Sequence, residues 1–263
     1  MYNSTRPELT VVKVGGAIVE QPESLDRLIN DFAALPGCKI LVHGGGRSAT
    51  ALATRLGIQT TMIDGRRVTD NEMLEVVTMV YGGLVNKRVV ARLQALGVNA
   101  LGVTGADMNL ILSERRAPRD GVDYGYVGDV RRVDTEGFAR LLRAGVVPVV
   151  APLTHDGKCS MLNTNADTMA GEVASALTAD FDVRLVFCFE KAGVLLDADD
   201  DSTVIKHIDR AAYKELRDQN RVAGGMLPKL DNSFKAIDAG VNEVVITCAS
   251  SLNDLTAGSH LTR

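Results

Sequence analysis

The 263-residue chain has no tryptophan and only 4% aromatic residues, which leaves little for a surface that stacks on nucleic-acid bases. It has no basic surplus either. Its 29 Lys and Arg stand against 33 Asp and Glu, a net charge of −4, whereas proteins that grip phosphodiester backbones carry an excess of cations. No apolar run approaches the ~18 residues that span a membrane. The opening Met1-Tyr2-Asn3-Ser4-Thr5-Arg6 lacks the apolar core of a signal peptide. A cytoplasmic protein with neither nucleic-acid nor membrane partners is expected. Cys38, Cys159, Cys188 and Cys248 are far apart, each in or beside an apolar run. They read as buried small hydrophobes in a reducing compartment, not as a disulfide or zinc framework. His155, His207 and His260 show no metal-ligand spacing, and no protein-bound metal is expected. Walker-type, nucleophile-elbow, H-E-x-x-H and EF-hand patterns are missing as well, which excludes those chemistries.

What the chain does have is 46% hydrophobic residues, enough apolar surface to offset the entropy of ordering it. Short β-branched runs alternate with segments of helical period. Strands are predicted over 9–14, 39–42, 99–103, 146–151, 183–189 and 243–247. Helices are predicted over 23–35, 47–56, 71–96, 135–144, 165–179, 210–220 and 226–239. Hairpins are expected over 60–68, around Asp64-Gly65, and over 113–133, and the Asp/Ser-rich stretch 197–202 is expected to be a solvated loop. Helices of this length between strands require right-handed crossovers and a mainly parallel sheet covered on both faces. The fold class is α/β.

Two strands end in glycine clusters, Lys13-Val14-Gly15-Gly16 and His43-Gly44-Gly45-Gly46. Where a strand passes into a helix, the first helical N–H groups lack internal partners and carry partial positive charge. Glycines there let the backbone approach an oxyanion closely, at the strand ends where open α/β sheets bind ligands. Gly44-Gly45-Gly46-Arg47-Ser48-Ala49 also fits the G-x-G-x-x-A fingerprint, with Asp64 at about the right distance, so an NAD-binding Rossmann enzyme is one alternative. Lys13 decides against it. A lysine at a strand end is a point charge able to follow a moving phosphoryl group, and an NAD site has no comparable need. His43 reads as a hydrogen-bonded turn residue.

These motifs, with Gly65-Arg66-Arg67-Val68-Thr69, Asn163-Thr164-Asn165-Ala166-Asp167 and Gly224-Gly225-Met226-Leu227-Pro228-Lys229 in this order, make the chain resemble the amino acid kinase family, specifically its acylglutamate branch. The resemblance runs from about residue 9 to the end. It implies a three-layer αβα sandwich around an open, mainly parallel sheet, as in carbamate kinase. It also implies two lobes: residues 1–178 for the acyl amino acid and dimerisation, and 179–263 for the nucleotide. By the same resemblance Lys13 and Lys229 stabilise the transferring phosphoryl group and Asp167 orients them. Gly45, Gly46, Arg67 and Asn163 contact the substrate. Gly15, Gly16, Glu190, Lys191, Gly193, Val194, Leu195 and Met226 contact the nucleotide. The implied reaction is ATP-dependent phosphorylation of the side-chain carboxylate of an N-acyl-L-glutamate, a step of arginine biosynthesis, with Mg²⁺ carried on the ATP. Such a carboxylate is already ionised at pH 7, so no general base is required. Arg67 suits the α-carboxylate, which a planar guanidinium grips bidentately, while Arg66 is expected to turn away across the strand.

The sequence also departs from the family pattern. Phe189-Glu190-Lys191 stands where the family has Ser/Thr-Asp-Val, and Lys191 is a further candidate contact to the triphosphate. Arg47 follows the second glycine turn, where a small residue is common. It leaves open an acyl group with its own carboxylate, such as succinyl, in place of acetyl. The first strand starts near Leu9, leaving no room for the N-terminal helix of arginine-regulated hexameric relatives, so an arginine-insensitive homodimer is expected. Another amino acid kinase and a non-catalytic amino-acid-binding regulator of the same fold are the remaining alternatives.

Overall fold

The computed structural model describes residues 6–63, 65–197, 199–219, 226–254 and 256–263. Its strands are β1 (Glu8–Val14), β2 (Cys38–His43), β3 (Met62–Ile63), β4 (Arg66–Arg67), β5 (Ala100–Val103), β6 (Ile111–Arg115), β7 (Val127–Val133), β8 (Val147–Val150), β9 (Leu153–His155), β10 (Met161–Thr164), β11 (Asp182–Phe189), β12 (His207–Ile208), β13 (Glu243–Cys248) and β14 (Ser259–Leu261). Its helices are α1 (Gly16–Glu20), α2 (Pro22–Ala34), α3 (Gly46–Arg55), α4 (Asn71–Val77), α5 (Asn86–Ala95), α6 (Thr135–Arg143), α7 (Ala166–Ala176), α8 (Arg210–Asp218) and α9 (Leu227–Asp238).

Eight strands form one sheet in the order β12-β14-β13-β11-β1-β2-β8-β5. All neighbours run parallel except β13 and β14. Side chains alternate across it, as a pleated strand requires. In β1, Leu9 and Val11 join a core with Phe138, Val173, Phe187 and Phe234, against α6, α7, α8 and α9. Val12 and Val14 join another with Phe32, Val77, Leu93 and Cys188, against α1 to α5. The result is the expected αβα sandwich. Alternation puts Lys13 on the Val11 face, at the carboxyl end of a strand buried on both sides.

Four short strands, in the order β10-β7-β6-β9, close a small barrel beside the sheet. The hairpin expected over 113–133 is present as β6 and β7, which run antiparallel. Strands β9, β10, β12 and β14 were not foreseen. Each is two to four residues long, too short for an alternation pattern to emerge. The helix expected over 71–96 is continuous, but its middle, Thr78–Val85, is wound as a π-helix, the wider turn that proteins keep mostly where function needs it. The hairpin over 60–68 is built from β3 and β4. Asp64, Gly224 and Gly225 lie outside the described residues.

The cysteine expectation holds at Cys188 alone, since Cys38 and Cys248 are only partly buried. Cys188 is fully buried, and burial pushes its thiol up to about 12, whereas Cys159 is exposed in a left-handed turn at φ 75°. Its apolar neighbours belong to short strands either side of that turn. Among the described residues no helix is long and apolar enough to cross a membrane. Phe138, with no exposed surface, anchors α6 in the first core. Phe138→Ala is expected to lower stability by about 3–5 kcal/mol, measured by urea denaturation.

Candidate active site

The two glycine turns interlock. The Gly15 N–H donates to the Cys188 carbonyl at 3.1 Å and the Gly44 N–H to the Val14 carbonyl at 3.0 Å. A Cβ on Gly44 would stand 2.9 Å from the Gly16 nitrogen, and one on Gly45 would stand 2.9 Å from the Tyr81 ring. No other residue fits this backbone-to-backbone approach. Gly45 and Gly46 open α3, so their N–H groups have no intrahelical acceptor. Two residues further along α3, the Ser48 N–H is taken by the Glu20 carboxylate.

Beneath the turns, His43 is fully buried, and desolvation lowers its pKa to about 4 against the pull of its bond to the Gly44 carbonyl. Its Nδ1 lies 2.8 Å from that carbonyl and its Nε2 lies 3.1 Å from the Asn86 amide nitrogen. A neutral ring satisfies both if Nδ1–H donates and Nε2 accepts. His43 is a structural pin for the turn, as its sequence position suggested.

Lys13, Asp167 and Lys229 are brought together from three elements. The Lys13 ammonium makes an ion pair with Asp167 at 2.6 Å, and both side chains are largely buried. The approach is close but too oblique for a hydrogen bond to that oxygen. Asp167 sits in the first turn of α7, which Asn165 caps by accepting the Thr168 N–H at 2.9 Å. Lys229, in the first turn of α9, is half-buried. Its pKa is lowered, first by desolvation and also by the Lys13 charge, while Asp167 raises it. Two cations thus share one carboxylate. The third partner is Phe189, whose ring face lies 3.3 Å from the Lys229 ammonium and 5.1 Å from that of Lys13, measured to the centroid. A ring face attracts cations through its quadrupole. The sequence marked Phe189 only as a departure from the family pattern and gave it no role.

Two cavities flank this cluster. The larger, about 810 Å³, is lined by Lys13, Lys229, Gly15, Gly16, Glu190, Lys191, Gly193 and Met226 among others. Of the residues expected around a nucleotide, Val194 and Leu195 are the exceptions. Both are buried, and the Val194 N–H is committed to the Ser259 hydroxyl at 2.8 Å. The smaller cavity, about 180 Å³, is lined by Gly45, Gly46, Arg67, Asn163 and Tyr81 among others. Gly46, Met62 and Arg67 belong to both.

Arg67 is buried, and its nitrogens reach the Gly46 carbonyl at 2.8 Å, the Thr50 hydroxyl at 2.9 Å and the Thr60 hydroxyl at 3.3 Å. The Asn163 amide donates to the Thr69 hydroxyl at 3.0 Å. Arg66 borders the smaller cavity with its side chain towards Arg116, Asp129 and Tyr124 on the barrel side, away from Arg67, as expected of neighbours on a strand. Arg47 lines the larger cavity instead, 3.7 Å from Glu190 with both side chains exposed, a pairing worth little. Among the described residues no three His, Cys, Asp or Glu side chains are placed to hold a metal ion.

Residues 8–248 match the amino acid kinase family, and the chain belongs to it. It is 62% identical over 249 residues to an acetylglutamate kinase of Bacteroides thetaiotaomicron, covering 95% of this chain and 96% of that protein. It is 46% identical over 242 residues to an acetylglutamate kinase of Methanopyrus kandleri, covering 91% and 94%. Among solved structures it resembles an N-acetylglutamate synthase from Neisseria gonorrhoeae complexed with coenzyme A and N-acetyl-glutamate, with a TM-score of 0.83 at 22% identity over 97% of this chain. The chain spans 59% of that protein's length, and the likeness shows the fold alone.

His43 gives the site a measurable pH signature. The unfolded chain takes up its proton below about 6.5, the folded chain only near 4. Its contribution to stability is therefore complete above pH 6.5 and is lost as the pH falls towards 4. Wild type is expected to lose about 2–3 kcal/mol from this residue between pH 7.5 and 4.5. His43→Asn should remove that portion of the difference in urea denaturation.

Proposed function

We propose that the protein is an acylglutamate kinase of the acetylglutamate kinase type, transferring the γ-phosphoryl group of ATP to the side-chain carboxylate of an N-acyl-L-glutamate, within arginine biosynthesis. The observation that carries this is the convergence of Lys13 and Lys229 on Asp167, in the wall of a cavity large enough for a nucleotide and beside a smaller one lined by Gly45 and Gly46. The names of its relatives point the same way.

The chemistry needs no base. A carboxylate oxygen forms a bond to the γ-phosphorus as the bond to the β–γ bridging oxygen breaks, giving an acyl phosphate and ADP. The obstacle is that an anion must approach a polyanion. Two like charges ~4 Å apart repel by roughly 4 kcal/mol at an effective dielectric near 20. Aimed cations and N–H groups offset that repulsion where charge accumulates. Lys13 and Lys229 face the transferred group from the larger cavity, and the N–H groups of Gly45 and Gly46 receive the nucleophile's end. Arg67 and Asn163 hold the rest of the acyl amino acid. Mg²⁺ arrives with ATP as part of the substrate. In this reading residues 1–178 bind the acyl amino acid and residues 179–263 the nucleotide. A homodimer would form along β5, an edge strand with Leu101 exposed and Met79 and Leu84 exposed on the helix segment preceding α5. The compartment in this reading is the cytoplasm.

The test is ATP-dependent hydroxamate formation, since hydroxylamine traps acyl phosphates, with N-acetyl-L-glutamate, glutamate, aspartate and carbamate as acceptors. N-acetyl-L-glutamate should be the preferred acceptor of these four, and silence with every acceptor would overturn the reading. Lys229→Ala should lower kcat by about 100-fold or more. Asp167→Asn removes the group that raises the Lys229 pKa. The ammonium is the active form, so its alkaline loss of activity should move to lower pH.

A further inference from the structure

Of the two lysines at the site, only Lys13 has a carboxylate against it. Asp167 stands 2.6 Å from the Lys13 ammonium and acts on Lys229 as a more distant charge. Among the described residues no ion pair engages Lys229. Its close partner is an aromatic ring, the Phe189 centroid lying 3.3 Å from the ammonium nitrogen. A half-buried ammonium without a counter-ion is costly, and a ring face offsets part of that cost through its quadrupole. The mechanism above gives Phe189 no task.

The sheet fixes this ring. β11 runs parallel to β1 with Phe187 paired to Lys13. Paired residues and second neighbours share a face, so Lys13, Phe187 and Phe189 stand on the same side. Phe187 is buried in the first core and stacks on Phe189, with ring centroids 6.0 Å apart and planes 7° from parallel. A buried ring thus sets the plane of the one that carries the ammonium. Lys229 comes from another element, the first turn of α9, on a flexible four-carbon stem that has no planar fork to orient it. Both Phe189 and Lys229 line the larger cavity.

We propose that Phe189 is a positioning residue for phosphoryl transfer, its ring face seating the Lys229 ammonium at the wall of the larger cavity before the nucleotide arrives. A second carboxylate at this place would hold the ammonium equally well, but it would cancel the charge that a phosphoryl group needs. An aliphatic side chain would cancel nothing and would leave the flexible stem unseated. The ring does neither. It occupies one side of the ammonium and leaves N–H donors for phosphate oxygens, so Lys229 is held in place at full charge and the cost of orienting it is met in advance. The inference rests on the acylglutamate kinase reading and deepens it, giving a task to the residue that departs from the family pattern at the end of β11.

The experiment replaces Phe189 in the full chain by mono-, di- and trifluorinated phenylalanine, which weaken the negative ring face stepwise while the ring keeps nearly the same shape. The rate of acyl phosphate formation is followed in a single turnover, with the best N-acyl-L-glutamate acceptor. The rate should fall with each fluorine, reaching a loss of about tenfold in the trifluorinated protein, the scale of one partly desolvated cation–ring contact. In the Lys229→Ala background the same series should give equal rates, because the ring then has no ammonium to seat. Equal rates along the series with Lys229 present overturn the proposal, since a ring that only fills space is indifferent to its quadrupole. A graded loss of the same size in Lys229→Ala also overturns it, because the ring would then act through another group. Absence of acyl phosphate with every acceptor, in the unaltered protein, would instead defeat the underlying kinase reading.

Discussion

Two ammonium groups held against a single carboxylate dictate how the rest of this molecule is arranged. Lys13, Lys229 and Asp167 carry a surplus positive charge inside a partly desolvated cleft, a state that repels itself until an anion enters. Each of the three is therefore mounted on something stiff. Lys13 stands on the strand at the middle of the sheet, paired on both sides, and Asp167 and Lys229 stand on the first turns of helices packed against that same face. Phe189 adds an uncharged surface that tolerates both cations. Its ring face attracts each ammonium without neutralising either, so the surplus positive charge is kept.

The glycine turns impose a second constraint. Gly44 and Gly16 meet at a distance that a side chain would forbid, and this closeness brings the N-terminus of α3 next to the end of β1. The two cavities consequently share a wall at Gly46, Met62 and Arg67. Because Arg67 is bonded to the Gly46 carbonyl, a ligand on one side touches the same backbone that borders the other. In-line transfer between two bound molecules needs such a shared boundary, since a displacement of about 1 Å can cost two orders of magnitude in rate.

Much of this was legible in the sequence, and the reasons are local. Strands that end in glycine, and Lys13 just before them, announce a strand-end anion site through backbone chemistry alone. Lys229 and Asp167 became visible only through the family motifs, because their closeness to Lys13 is tertiary. Phe189 stayed hidden as a functional residue because a phenylalanine at a strand end has the same appearance whether it packs in the core or faces an ammonium. Val194 and Leu195 continue an apolar motif whose backbone is spent on Ser259, and the strands of the small barrel are too brief to carry a period.

The wide turn at Thr78–Val85 bears on how tolerant the fold is of length changes. A π-turn holds an extra residue relative to an α-helix, so the long helix could absorb the deletion of one residue there by tightening, with its ends still packed. The ring of Tyr81, which now rests over Gly45, would swing round the helix axis and uncover the glycine turn. Chain length at this segment is thus a register for the smaller cavity: a chain one residue shorter could remain a well-folded protein with Lys13, Asp167 and Lys229 in place and one wall of that cavity lost.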